Sequence, residues 1–163
     1  MRTEVAKYLI SVSLNCSRQL DKSVELVLCA CDEAHFLIYR RLAGLAMGYI
    51  FTEILAPIYT SIPDLAPEWM KTSTADEPQI HPVQSRLASH AWPPSGPMQR
   101  KTAEAVVATL RDVVHELEEM TDYIRGHCDP DEVPSYCEGV KEVLTHISST
   151  EQMIFDEHPY LKR

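Results

Sequence analysis

One stretch limits what this chain can become more than any other. From residue 22 to residue 56 it reads KSVELVLCACDEAHFLIYRRLAGLAMGYIFTEILA, without a proline and with apolar side chains recurring every three or four residues. That spacing is helical. With His35 as origin and 100° per residue, Val24, Leu28, Cys31, Ile38, Leu42, Ala46 and Tyr49 fall within about 60° of it. The far side holds Leu26, Leu37 and Phe51 beside Glu33 and Arg40. A helix apolar on most sides sits at the centre of a bundle. The spacing therefore predicts a long central helix over about 22–56. A preceding helix over about 3–19 carries Val5, Tyr8, Leu9, Val12 and Cys16, and a break is expected near Asp21, whose side chain suits a helix start.

The part of this stretch nearest to a membrane span is 42–62, LAGLAMGYIFTEILAPIYTSI, which follows Arg40 and Arg41. Glu53 lies mid-span, where a carboxylate in lipid is costly. Pro57, Thr52, Thr60 and Ser61 add further polar or helix-breaking groups. The expectation is a buried helix of a soluble bundle and no membrane. The N-terminal apolar run is interrupted by Glu4 and Lys7, which argues against a secretion signal.

Pro57 should kink or end the central helix, and Pro63 and Pro67 should prevent its return. More than half of the eleven prolines fall within 66–97, where HAWPPSGP, 90–97, reads as extended polyproline-like chain. Beyond it, about 98–125, is a clean amphipathic helix. Val106, Leu110, Val113, Leu117, Met120 and Ile124 form its apolar stripe, opposite Glu104, Arg111, His115, Glu118 and Asp122. Gly126 suits its end, and Asp129-Pro130-Asp131-Glu132 suits a new start. A last helix to about 157 places Tyr136, Val140, Val143, Ile147 and Ile154 on one face. A turn this short makes the last two helices antiparallel neighbours. The expectation is an all-α single domain, 1–163: a bundle of four main helices, with a proline-rich crossover of about 66–97 between two helical pairs. A faint echo joins APIYTSIPDL, 56–65, to QMIFDEHPYL, 152–161.

Charge narrows the partners. With 24 acidic and 15 basic residues the net charge is -9, which repels nucleic acid and anionic lipid and is compatible with a basic protein partner. Cysteines at 16, 29, 31, 128 and 137 are odd in number and match no zinc spacing. They read as reduced thiols of a cytoplasmic protein.

Two motifs invite chemistry. Asp32-x-x-His35 and Asp112-x-x-His115 resemble in spacing the inward acid–histidine pairs of di-metal bundles. The wheel separates them: His35 falls within an apolar stripe, His115 among acids on a wet face. Asp32 and His35 remain the candidate metal ligands. The plainer expectation is a neutral core histidine bonded to a neighbour such as Tyr39 or to a facing side chain. Cys31, one turn before His35, reads as an inert buried thiol. Trp92 is a candidate partner anchor, or else folds back to plug the bundle. Phe36, Tyr39 and Tyr49 could line a small-molecule pocket. No nucleophile–base motif, glycine-rich phosphate loop or cofactor signature appears. The favoured function is a non-catalytic protein-binding module, an adaptor or inhibitor, and a homodimer is expected to cover Leu26, Leu37 and Phe51, with its seam along the central helix or under the 66–97 crossover. The alternatives are a metal-dependent helical enzyme centred on Asp32 and His35, and a small-ligand-binding bundle.

Overall fold

The structure, a computed structural model, describes residues 1–72, 91–92 and 98–162. Among these residues every regular element is helical: α1 Thr3–Ala30, α2 Glu33–Tyr49, a π-helical segment Ile50–Leu55, α3 Ala56–Ser61, α4 Glu68–Thr72, α5 Arg100–His127 and α6 Val133–Glu157. The chain is an all-α bundle with four substantial helices, α1, α2, α5 and α6. Most of the 66–97 crossover lies outside the described residues, including the polyproline-like reading of 90–97 apart from Ala91 and Trp92.

The four helices stand at the corners of a square. α1 packs on α2 and α5, and α6 packs on α2 and α5. Neighbours run antiparallel: Tyr8 meets Tyr123 and Asn15 meets Glu116 between α1 and α5, while His35 meets Glu157 and Tyr49 meets His146 between α2 and α6. α2 and α5 are thus parallel helices on a diagonal. The chain must travel the whole bundle length between them, about 40 Å for a helix of this size, which is why the connection is long.

The buried positions alternate by threes and fours. They are Ala6, Leu9, Ser13, Cys16, Leu20, Ser23 and Val27 in α1, and Phe36, Tyr39, Ala43, Ala46 and Ile50 along α2. α5 and α6 repeat the pattern with Val106, Leu110, Val113, Leu117, Met120 and Ile124, and with Val140, Val143, Ile147, Thr150 and Ile154. A repeat near 3.5 keeps one seam facing its neighbours and belongs to knobs-into-holes bundles.

The break in the first half differs from the expected one. α1 runs through Asp21 to Ala30 and stops at two extended residues, Cys31 and Asp32. The Asp32 side chain caps α2 by accepting the His35 backbone N–H at 2.9 Å, which satisfies one of the unpaired donors of a helix start. The inner face of α2 consequently lies one residue away from the expected stripe at most positions, with Ala46 common to both. Phe36, Tyr39, Ala43 and Ala46 point inward, Leu42 is half-buried and Ile38 is 53 % exposed. Small Ala43 and Ala46 let the neighbouring helices approach, and larger apolar side chains face out.

Pro57 does not end the helix, which continues to Ser61. A proline ring clashes with the carbonyl four residues before it, here that of Glu53. The wider π turn absorbs the conflict, with Ala56 N–H bonding Phe51 O five residues back. The displaced Glu53 backbone rests on Gly139 of α6, where an added Cβ would lie 2.9 Å from Glu53 Cβ and 3.2 Å from its carbonyl oxygen. The joined helix Glu33–Ser61 is long and apolar enough to cross a membrane by length and composition, with 39 % of its most apolar window buried. The echo between 56–65 and 152–161 is visible in the backbone. Ile62 (φ -134°, ψ 78°) and His158 (φ -131°, ψ 68°) each end a helix and lead into a short 3-10 turn at a proline.

Candidate functional site

Four of the sequence candidates, Asp32, His35, Phe36 and Trp92, meet at the end of the bundle where α2 begins and α6 ends. Asp32 is held by its capping role. That fixes its Oδ1 beside the His35 ring, with Nδ1 at 2.7 Å. The other ring nitrogen, Nε2, reaches Glu157 Oε1 of α6 at 2.8 Å. Glu157 Oε2 in turn accepts the backbone N–H of Met98 at 3.0 Å, just before α5. One imidazole therefore ties the start of α2 to the end of α6, and through Glu157 to the entry of α5. His35 is mostly buried, as the wheel predicts, with its side chain 28 % exposed. Its partners are Asp32 and a facing side chain, Glu157, and not Tyr39.

Two carboxylates on one imidazole favour the imidazolium, which donates from both nitrogens. The His35 pKa is accordingly raised, first by the Asp32 hydrogen bond and then by the charge and hydrogen bond of Glu157, against an opposing desolvation. An imidazole occupied at both nitrogens has no lone pair free to take a proton from a substrate. Chemically the arrangement is a clamp. His115, on the far motif, is 71 % exposed and meets Glu119 at 3.5 Å within its own helix. The two acid–histidine motifs do not come together. Among the described residues no group of three or more His, Cys, Asp or Glu side chains is placed to hold a metal ion.

Two buried thiols, Cys31 beside these groups and Cys16 farther along α1, are held protonated. Burial, then the Glu157 and Asp32 charges, pushes Cys31 up to about 11. Burial, then Glu116, pushes Cys16 up to about 12. A nucleophilic or metal-binding thiol needs the opposite shift.

The aromatic candidates scatter into packing roles. Phe36 is buried and its ring centroid lies 5.4 Å from that of half-buried Trp92, so Trp92 folds back onto the bundle end beside the His35 clamp. Tyr39 is fully buried and hydrogen-bonds Ser23 at 2.6 Å. Tyr49 lies on the His146 ring at 4.3 Å. These residues line neither of two sizeable surface grooves. One, of about 740 Å³, runs past Glu118, Asp122, Arg125, Glu138 and Lys141 between α5 and α6. The other, of about 590 Å³, has Leu26 and Cys29 of α1 on one side and Thr109 on the other.

Two functional groups of the fold were not legible beforehand. Glu157 lies more than a hundred residues from His35, and nothing in its local sequence marks it. Glu116 sits on the wet side of α5 by periodicity, yet accepts from Asn15 Nδ2 at 2.8 Å and Gln19 Nε2 at 2.7 Å of α1. The only local hint was polar Asn15 and Gln19 spaced one turn apart.

The outer face of α2 is the remaining feature. Leu37, Ile38 and Leu45 are 46 %, 53 % and 41 % exposed, and Glu33, Arg41, Gly44 and Gly48 are exposed with them. A Cβ added at Gly44 or Gly48 would meet nothing within 4 Å, so this face is open. Neither Glu33 nor Arg41 makes a hydrogen bond or ion pair among the described residues.

No protein-family model, curated protein or solved structure matches the chain.

Proposed function

We propose that this chain is a non-catalytic interaction protein whose working surface is the outer face of α2. The observation that carries the reading is the contrast across that helix. Its inner positions Phe36, Tyr39, Ala43 and Ala46 have 0–1 % exposure, while Leu37, Ile38 and Leu45 on the other side are 41–53 % exposed. Single exposed leucines are ordinary, but several gathered on one helix face form a patch of the kind used to bind another protein. What supports a non-catalytic role is the state of the reactive groups. His35 is engaged at both nitrogens, and Cys16 and Cys31 are held as thiols. The net charge of -9 disfavours nucleic acid as the partner.

A photo-crosslinking side chain at Ile38, compared with one at exposed Asp122 on α5, tests the surface in intact cells. Protein adducts from position 38 and none from position 122 are expected. Equal labelling at the two positions, or none at 38, would refute α2 as the working face.

A further inference from the structure

We propose that the partner of the α2 face is a second copy of this chain, docked antiparallel about a two-fold axis at Leu37 and held by reciprocal Glu33–Arg41 pairs. The proposal rests on the reading of α2 as the binding face and adds the identity of the occupant. Its basis is charge complementarity in the face itself. Glu33 precedes Leu37 by four residues and Arg41 follows it by four, so all three lie within about 40° of one line along the helix. All three are exposed. When two identical helices pair antiparallel about a two-fold axis, residues before the axis on one copy meet those after it on the other. With Leu37 on the axis, Glu33 of each copy faces Arg41 of the other, twice. Leu37 packs on its own symmetry mate, and Ala34 and Ile38 flank the crossing.

Other registers are worse. Centring on Arg41 would set guanidinium against guanidinium. A parallel pairing would set acid against acid and base against base at each level. Neither Glu33 nor Arg41 has a competing partner in its own chain among the described residues. The net charge of -9 on each copy opposes association only at long range, since charges separated by more than about 8 Å are screened at physiological salt. The contact pairs lie well inside that distance. The seam is one helix pair, smaller than the ~800 Å² per partner of a standard interface, so the dimer should be concentration-dependent.

Sedimentation equilibrium of the full chain without detergent, over roughly 1–300 µM, spans the range in which such an interface titrates. A shift from one-protomer to two-protomer mass is expected. Arg41→Glu should weaken the dimer about tenfold, by turning both attractive pairs repulsive. Glu33→Arg combined with Arg41→Glu should restore it to within about threefold, since the pairs re-form with signs exchanged. Leu37→Glu should abolish it while leaving the circular dichroism of the monomer unchanged. A monomer throughout the range, a dimer indifferent to Arg41→Glu or Leu37→Glu, or a failure of the double reversal to recover would overturn the proposal. So would a chain that stays soluble only in detergent or floats with phosphatidylcholine vesicles, which would make lipid the occupant. A monomer that still gives adducts to a different protein from Ile38 overturns the second copy and leaves the α2 reading standing. A monomer without Ile38 adducts removes both.

Discussion

A hydrogen bond joins Tyr39 of α2 to Ser23 of α1 inside the core. Both side chains are fully buried, and their oxygens are 2.6 Å apart. The Ser23 hydroxyl also donates to the Leu20 carbonyl at 2.6 Å. A hydroxyl has one proton to give, so the Tyr39 O–H must donate to Ser23 Oγ. The chain of bonds runs from phenol to serine to backbone, and the two deletions are not equivalent. Tyr39→Phe removes the donor but leaves Ser23 bonded to Leu20, at about 1 kcal/mol for one net hydrogen bond. Ser23→Ala strands the phenol in the core with no acceptor, and an orphaned buried donor costs about 1–3 kcal/mol in desolvation. Removing both leaves no unsatisfied group, so the double variant should lose no more than Ser23→Ala alone. The coupling between the sites should be at least about 1 kcal/mol. Urea unfolding followed by circular dichroism measures all four corners of the cycle. A Ser23→Ala loss smaller than the Tyr39→Phe loss, or a double variant equal to the sum of the singles, would refute the assigned direction of the bond. Burial already holds the Tyr39 phenol protonated, pushing its pKa up to about 12.

Gly139→Ala should lower stability by about 1–2 kcal/mol despite the ~1 kcal/mol that alanine adds to a helix interior, because the new Cβ meets the Glu53 backbone; Gly126→Ala, with open space around it, should cost nothing in the same thermal melts, and stabilisation at both positions would count against the close approach. The raised His35 pKa makes stability pH-dependent in one direction. The contribution is fully present below the unfolded value of about 6.5 and fades as pH rises through the higher folded value; His35→Gln should flatten the profile, and an NMR titration midpoint of the ring at or below 6.5 would contradict the clamp. Phe36→Ala should cost about 3–5 kcal/mol as a core aromatic, and half-buried Leu42→Ala distinctly less, whereas equal losses in denaturant melts would return Leu42 to the inner face. Exposed Cys29 should react with iodoacetamide well before Cys16 and Cys31, and faster labelling of either buried thiol would show that the bundle opens there.

Sequence alone determined the class of this fold and its second half. In α5 and α6 the apolar residues occupy one stripe and charges the rest, so periodicity identifies the buried face without ambiguity; Val106 to Ile124 and Tyr136 to Ile154 are buried as the spacing predicts. The crossover and the antiparallel last pair also follow from local rules, since proline and turn chemistry act over a few residues. α2 shows the limit. It is apolar on both sides, so a one-residue change of phase costs nothing in a wheel, and the greater hydrophobicity of Ile38 and Leu42 pointed to the wrong face. Only packing selects Ala43 over Leu42 for the inside, because the room between α1, α2 and α6 admits a small side chain there. Asp32 carried a legible capping signal, but its weight against Asp21 depended on where the next helix had to turn. Likewise the role of His35 needed Glu157, brought from the far end of the chain by the antiparallel arrangement of α2 and α6. Patterns that repeat within one helix are visible in one dimension, whereas which of two apolar faces is covered, and which carboxylate meets an imidazole, is decided by helices distant in sequence competing for the same space.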